Sequence, residues 1–364
     1  MRLLWEQEVV SSNLTAPTIF MSAPSDLIAN EAQLDDVLTT PRPELCEFIK
    51  KLSSPLLVLG AGGKMGPSLA VLARRAAAAA GHPLRVIAVS RFATAASRQW
   101  LEHEGVDTVA FDLLAPDWSA LPDSANVIHL VGLKFGTVQN PALTWATNTL
   151  VPAAACRRYR DARMVALSSG TIYPLMPIEG GGSVESTPLD PVGEYALACL
   201  ARERIFEHQS QTLGCKLAIL RLNYAIDLRY GVLHDIAQRL WQRTPIDLTM
   251  GHINCIWQGD ANEFILRSLA LCESPPAIWN LTSPQIHPVR NLAQELGNAL
   301  GIEPSFTRVE SPTSLLSNPA RLIARLGPPP TSLETMLSWT AHWIKSGGNS
   351  HGKPTHFEVR DGRY

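Results

Sequence analysis

Seven consecutive residues carry the clearest chemistry in this 364-residue chain. The run Gly60-Ala61-Gly62-Gly63-Lys64-Met65-Gly66 follows an apolar stretch at 56–59 and precedes a helical pattern. A glycine-rich turn in that context brings backbone N–H groups close to a pyrophosphate, and the helix N-terminus adds partial positive charge. Gly60, Gly63, Lys64, Met65 and Gly66 are therefore expected at a cofactor. The glycines alone would also suit a strand–helix turn with no ligand; the strand before them and the helix after them favour a ligand. A second apolar stretch ends in Ser90-Arg91, where a dinucleotide-binding sheet reads the adenosine ribose. An acidic residue there would accept from both ribose hydroxyls. A hydroxyl beside a guanidinium suits a 2′-phosphate instead, so NADP is favoured over NAD. Asp112 and Leu113, after the third stretch, fall at the adenine edge.

Such a loop needs a buried parallel sheet behind it. Short apolar runs at 56–59, 84–89, 108–111, 127–131, 164–167 and 217–220 read as strands, with helical patterns between several of them. The first helix is expected over 67–80, filled by alanines and closed by Gly81. Apolar strands alternating with helices imply a parallel sheet covered on both faces. The predicted fold is α/β: a Rossmann-type, doubly wound parallel sheet with a smaller C-terminal substrate-binding lobe. The dinucleotide domain is placed at 53–225. The substrate lobe is placed at 226–346, with segments returning to the core. Residues 21–52 read as a helical lead-in broken by Pro41 and Pro43, and 347–364 as a polar tail, docked or disordered. Residues 1–20 read as a non-native leader. Back-translated, the text from Val10 to Leu14 contains GTTCGAATC, which is similar to the T-arm of a transfer-RNA gene, and Met21 is the expected start.

Composition narrows the function classes. Hydrophobic residues make up 46% and charged residues 18%, enough apolar material for a core and too much for a disordered chain. The net charge of −2 gives no electrostatic case for nucleic acid or an anionic membrane. No apolar run approaches the roughly 20 residues of a membrane helix. The six cysteines are scattered without a CxxC pair, and the ten histidines show no ligand spacing. No metal site is expected, and a reducing cytoplasm fits best.

Taken in order over roughly 55–345, the motifs resemble the extended short-chain dehydrogenases/reductases of the NAD(P)-dependent epimerase/dehydratase type. Beyond the glycine loop, Val127-Ile128-His129-Leu130-Val131-Gly132 is similar to the family's fourth-strand run beside the cofactor. Asn148 stands at its helix asparagine. Leu167-Ser168-Ser169-Gly170-Thr171-Ile172-Tyr173 places Ser169 at its catalytic serine. Ile256-Trp257-Gln258-Gly259-Asp260-Ala261 and Trp279-Asn280-Leu281-Thr282 are similar to its late motifs. The resemblance implies a sugar or nucleotide-sugar substrate. It also implies a tyrosine acid/base, a lysine four residues later that lowers its pKa, a serine on the substrate oxygen, and an asparagine supporting a proton-relay water. A homodimer through the helices bearing Asn148 and Tyr195 is implied as well, and the apolar stretch 196–200 suits it.

One position departs from the pattern. The tyrosine is Tyr195, but Cys199 stands where the lysine belongs. A neutral thiol supplies no cation, and a thiolate would have the wrong sign. Three readings remain open. The charge has moved, to Lys134 after the fourth strand by preference or to Arg202 one turn beyond Cys199. Or another group does the proton chemistry, among Glu179, Glu185, Glu194 and Cys199 itself. Or the protein binds a dinucleotide without turning it over, as a regulator or scaffold. Retained Ser169, Tyr195 and Asn148 favour an enzyme. On the substrate side, Asn223, Arg229 and Trp257 are the candidates, with His252 and Asn254 nearby. The plain alternatives are a salt-bridge arginine and a core tryptophan.

Overall fold

The computed structural model describes residues 27–92, 94–134, 136–137 and 139–362; the expected leader at 1–20 lies outside them. Two short helices open the described chain, α1 (Glu31–Thr39) and α2 (Pro43–Ile49), separated by the Pro41 and Pro43 region. Asn30 caps α1 by accepting from Gln33 N.

A seven-stranded sheet follows, made of β1 (Leu56–Leu59), β2 (Val86–Ser90), β3 (Asp107–Ala110), β4 (Asn126–His129), β5 (Arg163–Ser169), β6 (Lys216–Leu222) and β7 (Ala277–Leu281). Its order is β7-β6-β5-β4-β1-β2-β3, and every pairing is parallel. The chain starts in the middle, winds outward to β3, returns to β4 and winds the other way. That reversal between β1 and β4 is the topological switch point where open α/β sheets bind ligands. The expected doubly wound fold is the one observed, with strand ends differing from the expectation by one or two residues.

Helices α3 (Gly66–Ala79) and α8 (Gln258–Arg267) cover one face, and α5 (Pro141–Arg158) and α6 (Gly193–Leu213) the other. The short α4 (Ala95–His103) packs beside β3. β1 and β4 are buried at every residue, which is why both read as unbroken apolar or near-apolar runs.

A second core joins α7 (Val232–Trp241), α9 (Val289–Leu300) and α11 (Leu333–Lys345); a further short helix, α10 (Ala320–Leu326), leans on β7. Ile28, Leu34 and Leu38 of the lead-in belong to this second core, while Leu45, Ile49 and Leu52 belong to the core under the sheet, so the lead-in joins the two. The tail docks: Phe357 is buried in the same core.

Candidate functional site

The glycine loop connects β1 to α3 at the switch point. A Cβ at Gly66 would stand 2.5 Å from the Ala61 carbonyl oxygen, so helix and strand could not approach so closely with any side chain there. Gly60 takes φ +81 and presses on Val131, so the run after β4 lies alongside the loop as expected, with Leu130 and Val131 half-buried. Gly62 and Gly63 are exposed, and a Cβ at Gly63 would meet only the loop's own Gly60 carbonyl oxygen at 3.4 Å. No side chain caps α3, which leaves its first N–H groups available. At the end of β2, Ser90 abuts the loop: a Cβ at Gly62 would stand 2.5 Å from Ser90 Oγ, and Arg91 beside it is exposed. Asp112 Oδ1 accepts from Leu114 N at 3.0 Å, and Leu113 is buried.

Two lysines flank the loop. Lys64 Nζ donates to the Ala225 carbonyl at 3.3 Å and lies 3.9 Å above the Tyr230 ring. Lys134 Nζ lies 3.2 Å from Tyr230 Oη. Burial pulls Lys64 down to about 7, helped by Lys134 and Arg229 and opposed by Asp227 and Asp235. Burial likewise pulls Lys134 down to about 8 against Asp235 and Cys199. An open glycine turn, an uncapped helix N-terminus and two amines form a donor set that fits a pyrophosphate.

On the other side of the switch point, β5 ends at Ser169, whose Oγ accepts from Thr171 N at 3.2 Å. Tyr195, in the first turn of α6, is half-buried, with Ser169 and Cys199 both in hydrogen-bonding reach of its phenol. Burial raises the phenol pKa above its ordinary value; a thiolate at Cys199 would add to this, while Arg202 and Ser169 pull it down. Burial also raises the Cys199 thiol, so Cys199 is a protonated thiol at neutral pH and the wrong-sign anion does not arise.

Arg202 is buried against this pair. Its Nη1 donates to the Val131 carbonyl and to Asn148 Oδ1, both at 2.9 Å, and Nη2 lies 3.4 Å from Cys199 Sγ. A Cβ at Gly132 would stand 2.5 Å from Nη1, so a glycine is needed there for the guanidinium to fit. Asn148 also donates to the Thr144 carbonyl at 2.8 Å. Pro152, four residues on in α5, has no N–H to give the Asn148 carbonyl.

Helix α6 is pinned to the sheet by a buried network. Arg221 on β6 pairs with Glu203 (Nη2 to Oε2, 2.7 Å) and donates from Nη1 to Tyr173 Oη at 2.7 Å; Tyr173 in turn donates to Asn280 Oδ1 at 2.8 Å. Hydrogen bonds and charge from Glu203 outweigh burial and keep Arg221 firmly protonated.

Against this geometry the sequence matches one family, the NAD dependent epimerase/dehydratase family, over 56–226. Residues 56–226 are similar to that family. The matched segment runs from β1 to just past β6 and contains the loop, Ser169, Tyr195, Cys199 and Arg202. Solved structures of similar fold include UDP-glucose 4-epimerase of Thermus thermophilus with NAD (22% identity, TM-score 0.64, 80% of this chain and 99% of that one). UDP-glucuronic acid 4-epimerase of Bacillus cereus with UDP-glucuronic acid and NAD is another (16%, 0.65, 80% and 99%). A third is dTDP-glucose 4,6-dehydratase of Bacillus anthracis with NAD (13%, 0.67, 80% and 97%). No curated protein matches the sequence.

Within this site the expected residues divide. Ser169, Tyr195, Cys199 and Asn148 come together with Arg202, which the sequence reading had ranked behind Lys134. Lys134 meets Tyr230 beside Lys64, and its charge also reaches Cys199. The three substrate candidates do not converge. Arg229 is held by Glu31 (2.7 Å), Asp35 (3.0 Å) and Asp227 (3.0 Å), so a substrate phosphate would have to displace three carboxylates. Asn223 is buried and donates to Asn254 Oδ1 at 2.9 Å. Trp257 is buried edge-on to Trp339 at 5.1 Å. Glu185 and Glu194 are engaged by Asn280 N and Trp145 Nε1, and Glu179 is exposed. Tyr230 and Asp235 are the neighbours sequence reasoning missed; neither belongs to a motif with regular spacing. Among the described residues no cluster of three or more His, Cys, Asp or Glu could hold a metal, and no helix is long and apolar enough to cross a membrane.

Proposed function

We propose that the protein is an NAD(P)-dependent oxidoreductase of the epimerase/dehydratase type, acting on a hydroxyl or carbonyl of a sugar or nucleotide sugar. The observation that carries this reading is the approach of Ser169 and Tyr195 at the end of β5, beside the open glycine loop. A nicotinamide dinucleotide, when bound, supplies the hydride acceptor and donor. The chain does the rest. Gly62, Gly63 and the first turn of α3 bind the pyrophosphate, with Lys64 and Lys134 beside it. The Ser169 hydroxyl holds the substrate oxygen. Tyr195 Oη takes the hydroxyl proton on oxidation and returns it on reduction. Asn148, with its carbonyl left over by Pro152, positions a water that exchanges that proton with solvent.

The Ser90–Arg91 end of β2 supports NADP over NAD, although the similar structures named above hold NAD. The outer faces of α5 and α6 expose Trp145, Leu150 and Leu197, which supports a homodimer through them. Six free cysteines support a reducing, cytoplasmic setting.

Fluorescence titration with NADPH and NADH tests the cofactor half, with tighter NADPH binding expected. UDP- and dTDP-sugars then serve as substrates. Tyr195→Phe is expected to keep dinucleotide affinity and lose about 10²–10⁴-fold in turnover. Failure of both dinucleotides to bind would overturn the reading.

A further inference from the structure

We infer that Cys199 and Arg202 together replace the lysine of this family: the Arg202 guanidinium fixes a positive charge on Tyr195 through the Cys199 thiol. The inference rests on Tyr195 being the acid/base proposed above.

The geometry is sequential. Tyr195, Cys199 and Arg202 stand at i, i+4 and i+7 of α6, which is one stripe of the helix. The phenol meets the thiol, and the thiol sulfur lies 3.4 Å from Arg202 Nη2. The thiol stays protonated because it is buried. Its sulfur can then accept from the guanidinium while its S–H points to the phenol oxygen. When Tyr195 holds a proton the couple gains little. When Tyr195 is ionised, the S–H becomes a donor to an anion and the guanidinium charge lies just behind it, so the tyrosinate is favoured.

Three features show that the guanidinium is held in place. The Val131 carbonyl and Asn148 Oδ1 hold its second amino group. Gly132 leaves it the room that any side chain would fill. Arg202 Nε is buried and makes no hydrogen bond, so the side chain gives up part of its own solvation to stand here. An arginine also differs chemically from the lysine it replaces. It cannot release a proton near neutral pH, so it supplies charge without joining a proton relay. Lys134 is the rival. Its nitrogen is engaged with Tyr230, and its charge reaches Cys199, whereas Arg202 acts on Tyr195 itself.

The test reads the phenol itself and needs no turnover. Tyr195 is replaced in the full chain by a ring-fluorinated tyrosine, whose lowered intrinsic pKa brings its titration into an accessible range, and ionisation is followed by ¹⁹F NMR. Arg202→Met is expected to raise the midpoint by about one pH unit or more, a tenfold loss in ionisation. Cys199→Lys added to Arg202→Met is expected to lower it again. Cys199→Ala, a mild change that preserves the fold even if Arg202→Met does not, is expected to raise the midpoint as the S–H donor is lost. An unchanged midpoint in Arg202→Met, or in Cys199→Ala, overturns the couple. The proposed function fails separately, through dinucleotide binding and Tyr195→Phe turnover.

Discussion

Lys64 and Lys134 are lysines that give up charge to be where they are. Burial, the first cause in each case, takes them to about 7 and about 8, far below a lysine in water. Without a ligand, both are largely neutral at about pH 8.5. A bound pyrophosphate would restore the charged forms, so binding there must take up protons, approaching about two per dinucleotide. The sign follows: affinity falls as pH rises through 7 to 9, because each proton must be drawn from a scarcer supply. Calorimetry in two buffers of different ionisation enthalpy measures this, and Lys64→Met should remove about half the uptake. Proton-neutral binding at about pH 8.5 would place the pyrophosphate away from both lysines. This behaviour was only partly legible in the sequence. The loop's spacing marks Lys64 as near a cofactor, and the strand end marks Lys134. Their meeting at Tyr230 depends on a residue about a hundred positions further on, whose place is set by the second lobe. The same limit explains Arg202. Helical spacing put it on the stripe of Tyr195, but nothing in spacing shows that Gly132 opens a slot for the guanidinium.

At the scale of elements, patterning did well where one physical cause acts alone. β1 is buried on both faces and wholly apolar; β4, equally buried, has an apolar centre at Val127 and Ile128 between Asn126 and His129, and both were found. β3 is half-exposed, and its limits were still found to within one residue. The boundaries moved because a strand ends where its neighbour's hydrogen bonds end, which the single chain does not announce. β6 and β5 pair over seven residues, from Arg163↔Lys216 to Ser169↔Leu222, and so outrun their apolar cores. Helices α5 and α6 carry the catalytic candidates on their inner faces, Asn148 and Tyr195. Their outer faces leave Trp145, Leu150 and Leu197 38%, 60% and 40% exposed. Large apolar side chains exposed on two packed helices would suit a contact surface. If this face pairs two copies, Leu150→Glu with Leu197→Glu should shift sedimentation from dimer to monomer at micromolar concentration. The inward residues are untouched, so dinucleotide affinity should change little. A wild-type chain that sediments as a monomer would remove the proposal.

For the whole molecule, the tail runs over the second lobe, and its Gly362 reaches the start of α6. Ser350 Oγ meets His234 Nε2 at 3.0 Å, and Thr355 N donates to Asp235 Oδ2 at 2.7 Å. Glu358 pairs with Arg239 at 2.7 Å. Arg360 Nη1 donates to the Thr313 carbonyl at 2.6 Å. Phe357 fills a place in the second core. Gly362, at φ +72, then lies on the backbone of Val192 and Gly193, two residues before Tyr195. The polar, glycine-rich text of 347–364 left docking and disorder equally open, because its partners His234, Asp235 and Arg239 are supplied from more than a hundred residues away. Two variants separate the tail's two roles. Phe357→Ala empties a core position and should cost about 3 kcal/mol in denaturant unfolding, with turnover preserved below the transition. Gly362→Ala should cost less stability than Phe357→Ala, since Gly362 is buried but fills no place in the apolar core. Its added methyl has no room against the Val192 carbonyl, and its backbone conformation disfavours any side chain. The tail's end must then lift from the start of α6, and Tyr195 loses the support that fixes its turn. The expected result is a fall in kcat of about tenfold with dinucleotide affinity intact. Equal kcat in Gly362→Ala and wild type would make the tail a clamp on the second lobe alone.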